Sequence, residues 1–362
     1  MYPVEDISPQ ELMSSPKVKE IRESLLAGKP DKECARCIEK EQYGFESTRQ
    51  HHIKFVEQFD TVHGFDNDAP IIPQCIEVRF TNVCNFKCRM CYPDLSSLIS
   101  KEIADNPSVI DWYPPSDNRG VEESGRGTKF FDEMVANSKH LKRLYLTGGE
   151  PSVSKAVTDY METLIELGYA KNINLSFSTN ASVINPGFIE LLSEFKSVQI
   201  LLSLDAVGSI AEYQRHGTDW PRVAKNVQRY KDLTVSNKRK YSVAVHSVVT
   251  AYSILGIDDF FKYLDSTQLT GNMTICYNDF YKVQALIGKS RYHAIRSVNR
   301  AIDIASANKD LLFQVPILTS LVEFLEKAEH NQDDWDLFYK RTKILDEVRN
   351  ENFEDVFRSF LE

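Results

Sequence analysis

Long hydrophobic runs are missing from this 362-residue sequence. Its longest uncharged stretches, residues 172 to 189 and 241 to 257, are broken by Asn, Ser, Thr and His, so neither would partition into hydrocarbon as a spanning helix. Positive charge is also short. Lys and Arg number 43 against 52 Asp and Glu, a net charge of −9, which removes any long-range pull of the whole molecule on nucleic-acid phosphates or anionic lipid. Residues 1 to 10 carry Glu5 and Asp6 and lack the basic segment and apolar run of a secretory signal, so a cytoplasmic location is expected. Glycine and proline, 15 and 14 residues, are too few for a collagen-like or low-complexity chain. The eight histidines form no i, i+4 pair and no His-Glu-x-x-His motif, and are read as ordinary surface or core residues.

Cysteine is present in a telling pattern. Seven cysteines in a chain expected in a reducing compartment point to metal or redox chemistry rather than disulfides. Around them the chain reads in three parts. Residues 1–70 look helical: Ser8-Pro9 opens one helix, and Val18, Ile21, Leu25 and Leu26 give helical spacing as far as Gly28. Cys34 and Cys37 precede a further charged helix over Ile38–His52, followed by a loop at Gly64–Asn67.

Over residues 71–280 short β-branched runs alternate with amphipathic stretches, the pattern of βα units around a parallel sheet. The runs are Cys75–Phe80, Lys142–Leu146, Ile173–Ser178, Val198–Leu204, Tyr241–Val249 and Met273–Cys276. Helices are expected near 94–104, 127–138, 153–167, 186–195, 221–232 and 257–265. Six units are too few to close an eight-stranded barrel, so the predicted fold is α/β, an open, partial (β/α)6 TIM-like barrel. Residues 281–362 form a helical extension, whose stripe of Phe353, Val356, Phe357 and Phe360 is read as covering the barrel or the N-terminal region rather than a partner surface.

The strongest local feature follows the first strand: Cys84, Cys88 and Cys91, spaced C-x3-C-x2-C and followed by Tyr92. Three thiolates on so short a loop suit one corner each of a cubic iron-sulfur cluster and leave its fourth iron open. An open position at the mouth of a barrel is where a substrate or cosubstrate reaches a metal. Spacing alone also admits a zinc site completed by a distant His, or a cysteine-rich turn without metal.

The strand and its cysteine loop resemble the signature of the radical S-adenosylmethionine (radical SAM) enzymes. The resemblance extends along the chain. Gly148-Gly149-Glu150, after the second strand, is similar to the motif that holds the methionine ammonium in that family. Ser203-Leu204-Asp205 after the fourth strand, with Arg215, resembles the elements that contact the methionine carboxylate in its peptide-modifying branch. Asn180 is a candidate for the ribose or carboxylate, Val248 and Val249 for adenine packing, and Tyr92 for flanking the adenine through its backbone. The resemblance implies a 4Fe-4S cluster on Cys84, Cys88 and Cys91, S-adenosylmethionine as cosubstrate, and reductive cleavage to a 5′-deoxyadenosyl radical that abstracts hydrogen.

Cys34-Ala35-Arg36-Cys37, together with the terminal Leu345–Phe357 segment, is similar to the cysteine-rich twitch or SPASM-type modules of this branch. Such modules carry further cysteines upstream of the helix ending near Gly28, where this sequence has none. Cys34 and Cys37 therefore stay open as ligands of an auxiliary cluster, a zinc half-site or a vestigial pair, while Cys75 and Cys276 are read as buried small hydrophobes. The resemblance favours a peptide or protein side chain as substrate. A small carbohydrate or nucleoside is the alternative, RNA is disfavoured by the acidic balance, and a non-catalytic iron-sulfur or zinc protein is the rival from another class. A flavodoxin or ferredoxin is the expected electron donor, with Lys87, Arg89 and Lys101 as a candidate basic dock.

Overall fold

The computed structural model describes residues 9–42, 47, 49–50, 53–54, 73–113, 125–276, 279–328 and 331–361. The loop expected at Gly64–Asn67, and parts of the helix expected over Ile38–His52, lie outside them. Two compact units emerge: Met1–Gln74 with Gly127–His140, and Cys75–Arg126 with Leu141–Glu362.

In the first unit the helix Pro16–Leu26 starts where the Ser15 hydroxyl accepts from the Val18 N–H and Pro16 occupies the first turn. It stops at Gly28, whose φ of +70° is the left-handed exit that glycine permits. The turn Lys32–Cys34 and the helix Ala35–Gln42 then carry Cys34 and Cys37. The helix Lys129–Asn137, capped by Thr128, belongs to this unit too.

The second unit is built on six parallel strands: β1 (Cys75–Val78), β2 (Arg143–Leu146), β3 (Asn174–Thr179), β4 (Ser197–Leu202), β5 (Tyr241–Val249) and β6 (Gly271–Ile275). They lie side by side in chain order and form the α/β half-barrel that the repeated β-branched runs imply. Strand alternation separates two faces. Leu144, Leu146, Leu175, Phe177, Val198, Ile200, Leu202, Val245 and Val249 are buried on one, whereas Glu77, Tyr145, Gln199 and His246 take the other parity and are partly or fully exposed. The helices Ser97–Asp105, Lys155–Glu166, Pro186–Leu192, Trp220–Ser236 and Ile257–Thr267 fall within a few residues of the expected ones. A helix that the pattern did not announce, Gly208–Gln214, is seven residues long and has no side-chain cap, so it leaves little periodic signal.

The extension is helical as expected: Gly288–Ala307, Val315–Lys327, Gln332–Arg349 and Phe353–Leu361. Its aromatic stripe packs within the barrel unit. Phe353 and Phe357 are fully buried, with Phe357 edge-on to Tyr213 at 5.4 Å and Phe353 edge-on to Phe338 at 5.8 Å.

Candidate active site

The cysteine loop leaves the carboxyl end of β1 and is braced at both ends. Asn82 donates from Nδ2 to the Pro93 carbonyl (2.9 Å), and its own carbonyl accepts from Ser97 N–H (2.8 Å). In the middle, Lys87–Cys88 pairs antiparallel with Arg215–His216, and Arg89 N–H donates to the Gln214 carbonyl (2.8 Å). The three thiols interact electrostatically with one another. Burial raises all three above the ordinary value of 9.0, Cys91 to about 12, with the Phe86 and Tyr92 N–H groups partly offsetting it at Cys84 and Cys91. The metal-free loop therefore holds protonated thiols, and metal uptake must release those protons. Tyr92 lies at the rim, partly exposed, with its carbonyl accepting from Leu95 N–H at 3.0 Å.

Gly148 and Gly149 follow β2 with φ of +80° and +53°. A Cβ at Gly149 would stand 2.2 Å from the Val83 carbonyl oxygen, so only glycine lets this turn lie against the cysteine loop. The contact is secured where Glu150 N–H donates to that same oxygen (2.8 Å). The Glu150 carboxylate is 1% exposed. Its Oε1 accepts from Ser152 Oγ (2.6 Å), Ser152 N–H (3.2 Å) and Thr179 Oγ1 (2.8 Å), and its Oε2 from Asn180 N–H (2.7 Å). Burial raises this carboxyl while those donors lower it. Glu150 is thus an internal brace between the turn and the end of β3, with lone-pair capacity left at Oε2 for one further donor.

Asn180 continues the brace. Its Nδ2 donates to Asn85 Oδ1 (2.9 Å) inside the cysteine loop, and its Oδ1 accepts from Ser182 Oγ (2.6 Å) and N–H (2.9 Å). Ser203 continues from β4, its N–H bonded to the Thr179 carbonyl at 2.8 Å.

Arg215 meets the loop from the other side. Its fork is closed by Asp205, Nε to Oδ2 at 2.7 Å and Nη2 to Oδ1 at 3.0 Å, a bidentate geometry that suits guanidinium. Its Nη1 reaches Cys88 Sγ at 3.9 Å. Asp205 also accepts from Gln214 Nε2 and Val248 N–H, both at 2.8 Å. Burial alone would lower Arg215, but Asp205 and then Cys88 raise it, so the cation is fixed beside the thiol. Val249, by contrast, is 3% exposed on the face with Val245, and the alternate parity puts Val248 on the other face. Core packing therefore accounts for the Val249 side chain.

Thiols, a glycine turn and a carboxylate-bound arginine converge at the carboxyl ends of β1, β2 and β4. The model of the radical SAM superfamily matches residues 78–259, which hold all of them. The chain belongs to this superfamily. The cofactors of this superfamily are a 4Fe-4S cluster and S-adenosylmethionine. A mycofactocin maturase, MftC, of Mycobacterium ulcerans (strain Agy99) is 26% identical over 224 residues, covering 61% of this chain and 50% of that protein. The chain thus spans about half the length of the curated relative it matches. Among solved structures, native anSMEcpe with bound AdoMet shares 20% identity over 66% of this chain and 62% of the other at a TM-score of 0.43. Streptococcus suis SuiB bound to its precursor peptide SuiA shares 14% over 79% and 64% at 0.42.

The residues present fit the superfamily's cofactors. Three thiols on one loop supply sulfur ligands, and Arg215 places a donor against one of those sulfurs, the outer-shell contact that metal-bound thiolates use. Among the described residues, no group of three or more His, Cys, Asp or Glu is arranged to hold a single metal ion. No helix among them is long and apolar enough to cross a membrane.

Cys34 and Cys37 lie in the first unit, both partly exposed, with Arg49 close enough for each thiol to influence its charge. Cys276 is buried after β6 as expected, whereas Cys75, at the start of edge strand β1, is only partly covered. The expected basic dock is overturned as well. Arg89 is 0% exposed and cannot dock an electron donor: it is ion-paired to Asp346 (2.5 Å) and Glu351 (2.6 Å). Lys87 is bound to Glu102 at 2.6 Å, and Lys101 alone of the three is exposed. Asn85, Glu102 and His216 escaped the sequence reading as parts of the site. His216 was read as ordinary, yet its Nδ1 meets Glu351 Oε1 at 2.8 Å. The sign available for Asn85 was its place inside the loop, directly after Cys84.

Proposed function

We propose that this enzyme cleaves S-adenosylmethionine reductively and abstracts a hydrogen atom from a peptide or protein side chain. Support for the reaction comes from the family match over residues 78–259, which spans Cys84, Cys88, Cys91, the Gly148-Gly149-Glu150 turn and Arg215. Support for a peptide comes from the similarity to a maturase over 61% of the chain. One electron from the bound cluster would break the sulfonium's bond to the 5′ carbon, leaving methionine and a 5′-deoxyadenosyl radical that would take the substrate hydrogen.

In this reading Cys84, Cys88 and Cys91 hold the cluster. The Gly148-Gly149 turn offers backbone to the methionine ammonium, and Glu150 keeps that turn against the loop while its Oε2 takes the one further donor. Arg215 retains N–H groups beyond the three committed to Asp205 and Cys88, and with Ser203 and Asn180 it orients the carboxylate and ribose side. Val248, on the less covered face of β5, takes over from Val249 as the adenine contact. Polar side chains of that face, Glu77, Tyr145, Gln199 and His246, meet the substrate, and the walls of the half-barrel keep water from the reacting atoms. A flavodoxin or ferredoxin delivers the electron. Cys34 and Cys37 belong to a twitch-like N-terminal region, where the iron count per chain distinguishes an auxiliary cluster from a zinc half-site or a vestigial pair.

The test is anaerobic reconstitution with iron and sulfide counting, then assay of 5′-deoxyadenosine release under a reductant. Deuterium passing from labelled peptides into 5′-deoxyadenosine supports the peptide reading. Transfer from a sugar or nucleoside alone sinks it, and iron binding without nucleoside release sinks the reaction.

A further inference from the structure

Two cations flank the middle cysteine of the loop, and neither faces solvent freely. Arg89 lies one residue after Cys88 and two before Cys91. Its guanidinium packs on the Tyr213 ring at 3.7 Å, and Nε donates to the Tyr213 carbonyl (3.1 Å). Its Nη2 binds both Asp346 Oδ1 (2.5 Å) and Glu351 Oε2 (2.6 Å), residues 257 and 262 positions away in sequence. Asp346 is held in turn by Tyr213 Oη (2.7 Å) and Phe353 N–H (2.8 Å), and Glu351 by His216, which is the ladder partner of Lys87. On the other side of Cys88, Lys87 binds Glu102, and Arg349 grips the same carboxylate at 2.8 and 3.1 Å. The helix Gln332–Arg349 makes a third contact. Its Ile344 and Val348, one turn apart, pack with Cys91 against the apolar cluster of Ile99, Ile103, Val109 and Tyr113.

We propose that the C-terminal segment Ile344–Glu351 is a positioning clamp that fixes the Cys88–Cys91 half of the loop for its cluster. The proposal rests on the reading of that loop as the cluster ligand set. Nothing requires so much buried charge for packing alone, because an apolar contact fills space without desolvating ions. What an ion-paired guanidinium adds is direction: a planar fork held by two carboxylates fixes the backbone from which it springs. The clamp is one-sided. Cys84 N–H donates instead to Ser97 Oγ (3.4 Å), and the loop on either side of it is tied by Asn82, Asn85 and the Asn180–Ser182 turn, all outside the C-terminal segment.

The experiment compares wild type, the double variant Asp346→Asn/Glu351→Gln, and a control, Asp258→Asn, which disturbs the pair between buried Asp258 and exposed Arg300 in two other helices. Iron release from the anaerobically reconstituted proteins to a chelator is timed, and thiol labelling of the metal-free proteins is mapped by mass spectrometry. The clamp predicts several-fold faster iron release in the double variant than in either other protein, and a rise in labelling at Cys88 and Cys91 that exceeds the rise at Cys84. Release and labelling equal to the control overturn it. Should the double variant not fold, Glu351→Gln alone is decisive, since Glu351 sits between helices and its loss leaves Asp346 on Arg89: unchanged release and labelling then reject the clamp. If wild type itself takes up no iron, the cluster reading fails and the clamp with it. Retained iron with unchanged release rejects the clamp alone.

Discussion

The closeness of the glycine turn to the cysteine loop makes a quantitative prediction for Gly149→Ala. At φ +53° an alanine enters the left-handed region at a cost of about 1–2 kcal/mol. Its Cβ would also sit 2.2 Å from the Val83 oxygen and 2.8 Å from the Val83 carbonyl carbon, so turn and loop must separate by roughly 1 Å to reach van der Waals contact. Separation breaks the 2.8 Å bond from Glu150 N–H to Val83, worth about 1 kcal/mol. Displacing packed backbone adds roughly 1–3 kcal/mol. The whole is about 3–6 kcal/mol. Gly168 supplies the internal comparison: its φ of +72° carries a similar backbone cost, but nothing lies within 4 Å of the added methyl. Urea unfolding of the metal-free proteins should place Gly168→Ala about 1–2 kcal/mol below wild type and Gly149→Ala at least about 2 kcal/mol lower still. Calorimetry on reconstituted protein should find S-adenosylmethionine affinity lost in Gly149→Ala and retained in Gly168→Ala. Equal destabilisation of the two variants would refute the close approach, and retained affinity in Gly149→Ala would refute the placing of the cofactor against this turn.

Cys88→Ala should abolish 5′-deoxyadenosine release, whereas Cys34→Ala spares it; iron near four per chain in wild type indicates one cluster and near eight indicates two, and loss of all iron in Cys34→Ala would disprove separate sites. The buried thiols also set a pH dependence. Their folded values lie above the ordinary 9.0, so between the two the unfolded chain releases protons that the folded chain keeps. The metal-free protein should be indifferent to these groups below pH ~9 and lose about 1.4 kcal/mol per pH unit per thiol above it, a slope that Cys88→Ala reduces when measured by urea unfolding at pH 8 and 10 under reductant. Glu102→Ala leaves Arg349, 0% exposed, without its bidentate partner and should destabilise by roughly 3–5 kcal/mol, measured by the same unfolding; a change under about 1 kcal/mol would show the pair to be dispensable.

Much of the fold was legible because local rules carried it. The β-branched runs at Ile173–Ser178 and Tyr241–Val249 became β3 and β5 almost residue for residue, since a strand buried on one face must place an apolar side chain at every second position. The C-x3-C-x2-C loop was equally legible, as spacing within a short loop limits where three sulfurs can go. Glu150 was recognisable as part of a motif, but the consumption of its carboxylate by Ser152, Thr179 and Asn180 was not, because two of those partners arrive from another strand.

Sequence by itself determined what depends on neighbours along the chain: the strands, the helix caps at Ser15 and Thr128, the cysteine spacing and the glycine turn. Tertiary structure alone decided how the charges were spent. Arg89 reads as a solvent-facing loop cation until a segment more than 250 residues later brings Asp346 and Glu351 to it, and Arg215 reads as a free fork until Asp205 closes it. The physical reason is range. Backbone propensity acts over a few residues, whereas a buried ion is stable only where folding delivers its counter-ion, and no local pattern records which carboxylate that will be.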